Sequence, residues 1–194
     1  MGLLNNTNKY QIILASQSPR RQKLLKELKI DFTIKVKEVD EIYPKHLIKE
    51  EIPLYLSELK ASAFNSEITD KQLIITADTI VWVNNKILGK PANHTEAYNM
   101  LKTLSNNKHT VYTGVCLKTK NKTKTFWAST HVYFRKLHKQ EIEFYIENYK
   151  PYDKAGSYGI QEWIGYIAIE RIDGSYFNVM GLPIQKLYDE LTVF

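Results

Sequence analysis

Ile12-Ile13-Leu14-Ala15-Ser16-Gln17-Ser18-Pro19-Arg20-Arg21-Gln22-Lys23-Leu24-Leu25 is the stretch whose reading decides the fold. Ile12 to Ala15 read as a short buried strand, and Ser16-Gln17-Ser18-Pro19 punctuates it. A helix follows, with Ser18 as N-cap and Pro19 at the first helical position, where a missing N–H costs nothing. Leu24, Leu25 and Leu28 form its apolar stripe. Arg20 and Arg21 stand in the first turn, where each cation opposes the helix dipole by about 0.3–1 kcal/mol. The helix terminus itself attracts an anion, and two guanidiniums add bidentate donors, so a phosphate would make this arrangement favourable. Pairing of the two arginines with surface carboxylates is the competing explanation.

The wider composition narrows the class. With 194 residues, 43% hydrophobic and 25% charged, the chain can bury the core of one globular domain, with room for two lobes. No apolar run approaches the roughly 18 residues of a membrane span, so no membrane association is expected. Met1 to Lys9 is a polar N-terminal extension lacking the apolar centre of a signal peptide, and residues 10–194 read as a single domain. The only cysteine, Cys116, excludes an internal disulfide, fits a reducing cytoplasm and sits in the apolar pattern Val111–Leu117 as a core side chain. A net charge of +6 suits an anionic partner. The densest basic run, residues 118–124, reads as a solvated turn between strands, and without interleaved aromatics it argues against nucleic acid.

Along the chain, strands and helices alternate. Phe32 to Val39 reads as a second strand leading into Asp40-Glu41-Ile42-Tyr43-Pro44. Pro53 opens a helix to about Asn65, with Leu56, Leu59 and Ala63 on one side and Lys60 flanking them. Leu73 to Val83 is the most apolar strand, followed by an Asn84-Asn85 turn into Ile87-Leu88. Thr95 to Leu104 is helical. His109 to Lys118 and Lys124 to Arg135 are strands, and about Lys139 to Asn148 is a helix burying Ile142, Tyr145 and Ile146. Lys150 to Gln161 reads as a loop and Gly165 to Ile172 as a strand. Asp173-Gly174 turns the chain, and Pro183 opens a last helix ending near Leu191. Such a mixture predicts a single α/β or α+β domain, with two lobes around a cleft as one arrangement.

Asp78 is the second chemical signal. A carboxylate inside Ile74-Ile75-Thr76-Ala77-Asp78-Thr79-Ile80-Val81 is costly to bury unless it is paired or binds a metal. It reads as a metal ligand, a general base, or a satisfied structural Asp. Glu41 is a weaker candidate ligand, and Lys90, before Pro91, carries no weight alone. No GxxxxGK[ST], GxGxxG, CxxC or HExxH motif is present, and the five histidines are dispersed without metal-ligand spacing. Phosphate donors and isolated carboxylates remain, the parts for metal-assisted attack on a phosphoanhydride.

These residues carry a resemblance. Ile13 to Arg21, Leu59-Lys60-Ala61, Ala77 to Val81, Lys90-Pro91, Tyr112-Thr113-Gly114-Val115, Asp153-Lys154-Ala155-Gly156-Ser157-Tyr158-Gly159-Ile160-Gln161, Gly174-Ser175-Tyr176 and Gly181-Leu182-Pro183 are similar to the Maf family of nucleoside triphosphate pyrophosphatases. The likeness runs from about Gln11 to Leu191, with the motifs in the family's order. One departure is Glu162-Trp163-Ile164, where family members usually continue Gly-Ile-Gln with a glycine. The resemblance implies an elongated mixed-sheet α/β fold with two lobes around a cleft, similar to the inosine triphosphate pyrophosphatase fold. It also implies a homodimer, since family members commonly dimerise.

The activity it implies is hydrolysis between the α and β phosphorus of a nucleoside triphosphate, releasing pyrophosphate. Ser16, Arg20 and Arg21 would hold the triphosphate, and Lys60 and Lys90 would neutralise charge on the leaving pyrophosphate. Asp78 is carried over as the proton acceptor for water, with Glu41 and Asp78 the acidic positions for a divalent cation, Mg²⁺ or Mn²⁺. The closest branch acts on dTTP and UTP, with Arg20, Thr79 and Gln161 linked to specificity. The alternatives are a 7-methyl-GTP pyrophosphatase and a non-catalytic regulator binding nucleotide or nucleic acid.

Overall fold

β1 (Gln11–Leu14) lies between two parallel neighbours, β2 (Phe32–Ile34) and β3 (Gln72–Val83), with Ile13 opposite Thr33 on one side and Ile74 on the other. The structure, a computed structural model, describes Thr7 and residues 9–194, so the polar extension read from the sequence falls almost wholly outside the described residues. Three of the four β1 side chains are buried, as a strand flanked on both edges requires. The helix α1 (Pro19–Glu27) starts where its cap predicts: Ser18 Oγ accepts the Arg21 N–H, and Pro19 is the first helical residue.

The second strand is shorter than its sequence suggests. Expected to reach Val39, it ends at Ile34, because β1 ends at Leu14 and the Leu14 carbonyl accepts the Lys35 N–H at 3.3 Å as the last bond. Beyond it no β1 edge remains to pair with, and Lys35 and Val36 are exposed. β3 by contrast runs unbroken through Asp78. At its end Asn84 and Asn85 take positive φ values of 49° and 59°, the two-residue hairpin geometry that leads into antiparallel β4 (Lys86–Leu88).

β5 (Lys108–Lys118) and β6 (Thr123–Phe134) are the long strands beyond β3, and β7 (Ile169–Asp173) pairs antiparallel with β6. The seven-stranded sheet has the order β2-β1-β3-β5-β6-β7, with β4 beside β3, so the fold is mixed α/β as expected. The basic run forms the turn between β5 and β6. Thr119 N–H donates to the Lys122 carbonyl there, and Lys120 and Lys124 pair with Asp70 and Glu190.

The chain divides into two compact units. The first comprises the described residues up to Asp78, then Thr113–Ala128 and Gly181–Phe194. Its core includes Ile13, Ile74, Phe64 and Ile68, with Leu24 and Leu25 of α1 also buried. α2 (Glu51–Ser62) starts two residues before the expected Pro53, which sits within the first turn without loss. α2 lies hard against β5: a Cβ on Gly114 would meet the Pro53 carbonyl carbon and oxygen at 2.3 Å. Glycine is required there because helix backbone rides directly on strand backbone. α7 (Ile184–Val193), opened by Pro183 as predicted, buries Leu187 and Leu191.

The second unit comprises Thr79–Tyr112 and Ser129–Met180. Here α3 (His94–Leu104) contributes Ala97, Leu101 and Leu104, and α4 (Lys139–Tyr149) contributes Ile142, Tyr145 and Ile146. These meet Val81, Val83, Val111, Val132 and Phe134 in one cluster. The strand expected over 165–172 is corrected: α5 (Trp163–Ala168) comes first, then β7. Ile164 and Ala168, four residues apart, are both buried, a helical spacing that the β-branched run concealed. One further helical turn, α6 (Tyr176–Val179), is capped by Ser175 Oγ on the Asn178 N–H at 3.3 Å.

His109 is part of this second core, 1% exposed, with Nε2 2.7 Å from the Tyr158 hydroxyl and Phe134 edge-on at 5.1 Å. Burial pushes its pKa down to about 3, against an ordinary value of 6.5. The unfolded chain therefore binds a proton that the folded chain refuses between those two values. The contribution is complete above pH 6.5 and is lost on acidification, at a limiting slope of about 1.4 kcal/mol per pH unit. Denaturant midpoints at pH 7.5 and pH 5 should differ more for the wild type than for His109→Gln. Equal differences would contradict a buried neutral imidazole.

Candidate functional site

Ser16 and Ser18 prepare the N-terminus of α1. Ser16, 7% exposed, accepts the Ser18 N–H at Oγ (3.2 Å), and its carbonyl accepts Gln22 Nε2 at 3.2 Å. The Arg21 guanidinium lies across this turn, with Nη1 3.5 Å from Ser16 Oγ and Nε donating to the Gly181 carbonyl at 2.7 Å. Burial lowers the Arg21 pKa. Asp78 and Glu41 oppose that effect, and the neighbouring Arg20 adds to it. Arg20 is half-buried in the same turn. Arg21 is tied to backbone through Gly181, and the carboxylates acting on it, Asp78 and Glu41, are candidate site residues.

The second half of the site depends on how α2 meets β3. Thr76 Oγ1 donates to the Ser57 carbonyl at 2.6 Å, and both residues are fully buried. One helical turn after Ser57 comes Lys60. Two residues after Thr76, on the same face of the strand, comes Asp78. That register brings Lys60 Nζ to 2.6 Å from Asp78 Oδ1, while Glu41, from the segment before α2, places Oε1 2.9 Å from the same ammonium. The Asp78 side chain is 10% exposed and that of Glu41 50%, so the clasp has a buried and an open side. The carboxylate is thus paired, which resolves the cost of placing Asp78 in an apolar strand.

Ser16, Arg20, Arg21, Glu41, Lys60 and Asp78 all belong to the first unit, linked by these contacts and by the charges acting on Arg21. Thr79, Lys90 and Gln161 belong to the second. Thr79 is the half-buried next residue of β3, and Lys90 is exposed between β4 and α3. Gln161 is half-buried, and its Oε1 is buried without a hydrogen-bond partner.

The sequence left three contributors unassigned. The Gly181 carbonyl anchors Arg21 from 160 residues away, and only contact in space reveals it. Gly114, a glycine within an apolar strand, is the kind of signal that marks close backbone approach. Glu162, where a glycine was expected, receives the Tyr145 hydroxyl and pairs with Lys154 at 3.1 Å.

Chemically, the first unit offers an anion-seeking helix terminus with guanidiniums beside two carboxylates that share an ammonium. Among the described residues no group of three or more His, Cys, Asp or Glu side chains is placed to hold a metal ion. Two carboxylates fit Mg²⁺ or Mn²⁺ when phosphate oxygens and water complete the shell, the usual arrangement for these hard cations. The Lys60 ammonium already marks where a positive charge is welcomed.

Comparison with known proteins places the chain in a family. Residues 11–194 match the family model described as Maf-like protein. A protein of Parabacteroides distasonis named dTTP/UTP pyrophosphatase is 54% identical over 193 residues, covering 99% of this chain and 100% of its own. One of Flavobacterium johnsoniae with the same name is 52% identical, covering 98% of each. A solved structure, the Staphylococcus aureus Ham1 protein, aligns over 64% of this chain and 71% of its own at 16% identity and a TM-score of 0.36, too slight a likeness to bear on the fold. Matched along nearly its whole length by the family model, the chain belongs to the Maf family.

Proposed function

We propose that the chain is a nucleoside triphosphate pyrophosphatase that hydrolyses dTTP and UTP to the nucleoside monophosphate and pyrophosphate. The observation that carries this reading is the clasp of Lys60 on Asp78 and Glu41 beside the Arg20–Arg21 helix terminus. The names of relatives above 50% identity support the substrates.

In this reading Ser16, Arg20 and Arg21 hold the triphosphate. Arg21 does so from a guanidinium anchored through Nε on the Gly181 carbonyl and lying beside Ser16. Asp78 Oδ1 is engaged by Lys60, and the carboxylate takes the proton from the attacking water. As water oxygen bonds to the α phosphorus, the α–β bridging bond breaks and pyrophosphate departs with the electron pair. Lys60 and Lys90 are the cations assigned to that growing charge. Glu41 and Asp78 would hold Mg²⁺ or Mn²⁺, which when bound supplies charge neutralisation on phosphate oxygens. One catalytic domain spanning residues 10–194, a homodimeric assembly and a cytoplasmic setting complete the reading, with neither nucleic acid nor membrane as partner. No helix among the described residues is long and apolar enough to cross a membrane.

For specificity, Arg20, Thr79 and Gln161 are the assigned residues. A pyrimidine with two carbonyls and an N3–H requires donors and an acceptor, and a Gln amide supplies both. The buried, partnerless Oε1 of Gln161 suits an acceptor awaiting a donor. Cytosine's amino group would face a donor instead, and an unpaired buried group costs about 1–3 kcal/mol.

With Mg²⁺, UTP and dTTP should be turned over well ahead of CTP and 7-methyl-GTP, releasing pyrophosphate and no orthophosphate. Fastest hydrolysis of 7-methyl-GTP would overturn the substrate assignment, and oligonucleotide binding without any turnover would overturn the enzyme. Asp78→Asn keeps the volume and removes the charge. Its activity should fall at least about a hundredfold with the fold retained. Near-wild-type turnover by the folded variant would remove Asp78 from the mechanism.

A further inference from the structure

Gln161 sits in a turn that is tied down from outside. The Glu162 N–H donates to the Gly159 carbonyl at 3.0 Å, leaving Ile160 and Gln161 as the two central residues. The Glu162 side chain folds back over this turn: a Cβ on Gly159 would lie 2.7 Å from Glu162 Cδ. Two donors hold the carboxylate in that pose. The Tyr145 hydroxyl, on α4, donates to Oε2, and Lys154 Nζ lies 3.1 Å from Oε1. The same Tyr145 oxygen accepts the Gly159 N–H at 3.0 Å. Tyr145 is fully buried and Lys154 is 7% exposed. Withdrawing a lysine from water is costly unless it is paired, and Lys154 is shared between Asp153 at 2.7 Å and Glu162, which ties the four-residue turn to the segment before it.

We propose that Glu162 and Tyr145 are positioning residues that aim the Gln161 amide, and so set the preference for UTP over CTP. The inference rests on Gln161 reading the base. An amide discriminates donor from acceptor only while it keeps its orientation, since a flipped amide presents the opposite pattern. Glu162 and Tyr145 fix the backbone from which that side chain projects, and act through the turn instead of on the substrate.

The test measures kcat and KM for UTP and CTP in the wild type, Gln161→Ala, Tyr145→Phe, Glu162→Ala and Glu162→Gln, and in Tyr145→Phe combined with Gln161→Ala. Gln161→Ala should lower the UTP:CTP ratio of kcat/KM by about tenfold. Tyr145→Phe and Glu162→Ala should each lower it about five- to tenfold, mainly through the KM for UTP. Glu162→Gln, which keeps an acceptor for Tyr145, should retain most of the preference, and the double variant should lose no more than Gln161→Ala alone. A ratio unchanged in Tyr145→Phe and Glu162→Ala, while Gln161→Ala lowers it, overturns the positioning role and leaves the base-reading role standing. An equal fall in kcat for both nucleotides marks a merely structural role and overturns it as well. A ratio unchanged in Gln161→Ala overturns the base-reading role itself.

Discussion

The hydrogen bond from the Thr76 hydroxyl to the Ser57 carbonyl sets the register of α2 on β3. Its net worth is modest, about 0.5–1.5 kcal/mol, but leaving either group unpaired in a dry interface costs more. A helix turned by one residue would rotate Lys60 by about 100° and carry its ammonium away from Asp78. Gly114 of β5 admits the start of the same helix to backbone contact, so α2 is held against two strands. The clasp of Lys60, Asp78 and Glu41 follows from that placement.

Charge is distributed around this clasp in a way that favours an anion. Arg20 and Arg21 stand where the helix dipole disfavours them, and both are half-buried. Bonds to Gly181 and Ser16, and the nearby carboxylates, keep Arg21 there. The cations, two guanidiniums and an ammonium, outnumber the two carboxylates among them, Asp78 and Glu41, so a triphosphate at this helix terminus meets a net positive setting. Cys116, in contrast, has its thiol pushed up to about 12, chiefly by burial, and serves as packing.

Much of the fold could be read from local chemistry. Ser18-Pro19 marks the start of α1, Asn84-Asn85 the hairpin, and Pro183 the last helix, because caps and turns depend on neighbours in sequence. What failed depended on partners in space. β2 stops because β1 stops, and α5 hides in a run rich in β-branched residues with Gly165 pressed on the Ile160 carbonyl. The site divides along the same line. Arg20, Arg21 and Asp78 were conspicuous as misfits in their local setting, and Ser16 and Lys60 gained meaning from the family pattern. The Gly181 anchor and the Glu162–Tyr145–Lys154 network join residues distant in sequence or disguised by a departure from the motif, and only the folded chain displays them.

The central claim is that this site directs water to the α phosphorus of a pyrimidine triphosphate. Hydrolysis of UTP in ¹⁸O-labelled water, with mass analysis of both products, tests it most directly. The account predicts a single ¹⁸O in UMP and unlabelled pyrophosphate. Label in the pyrophosphate, or release of labelled orthophosphate, would place the attack elsewhere and contradict it.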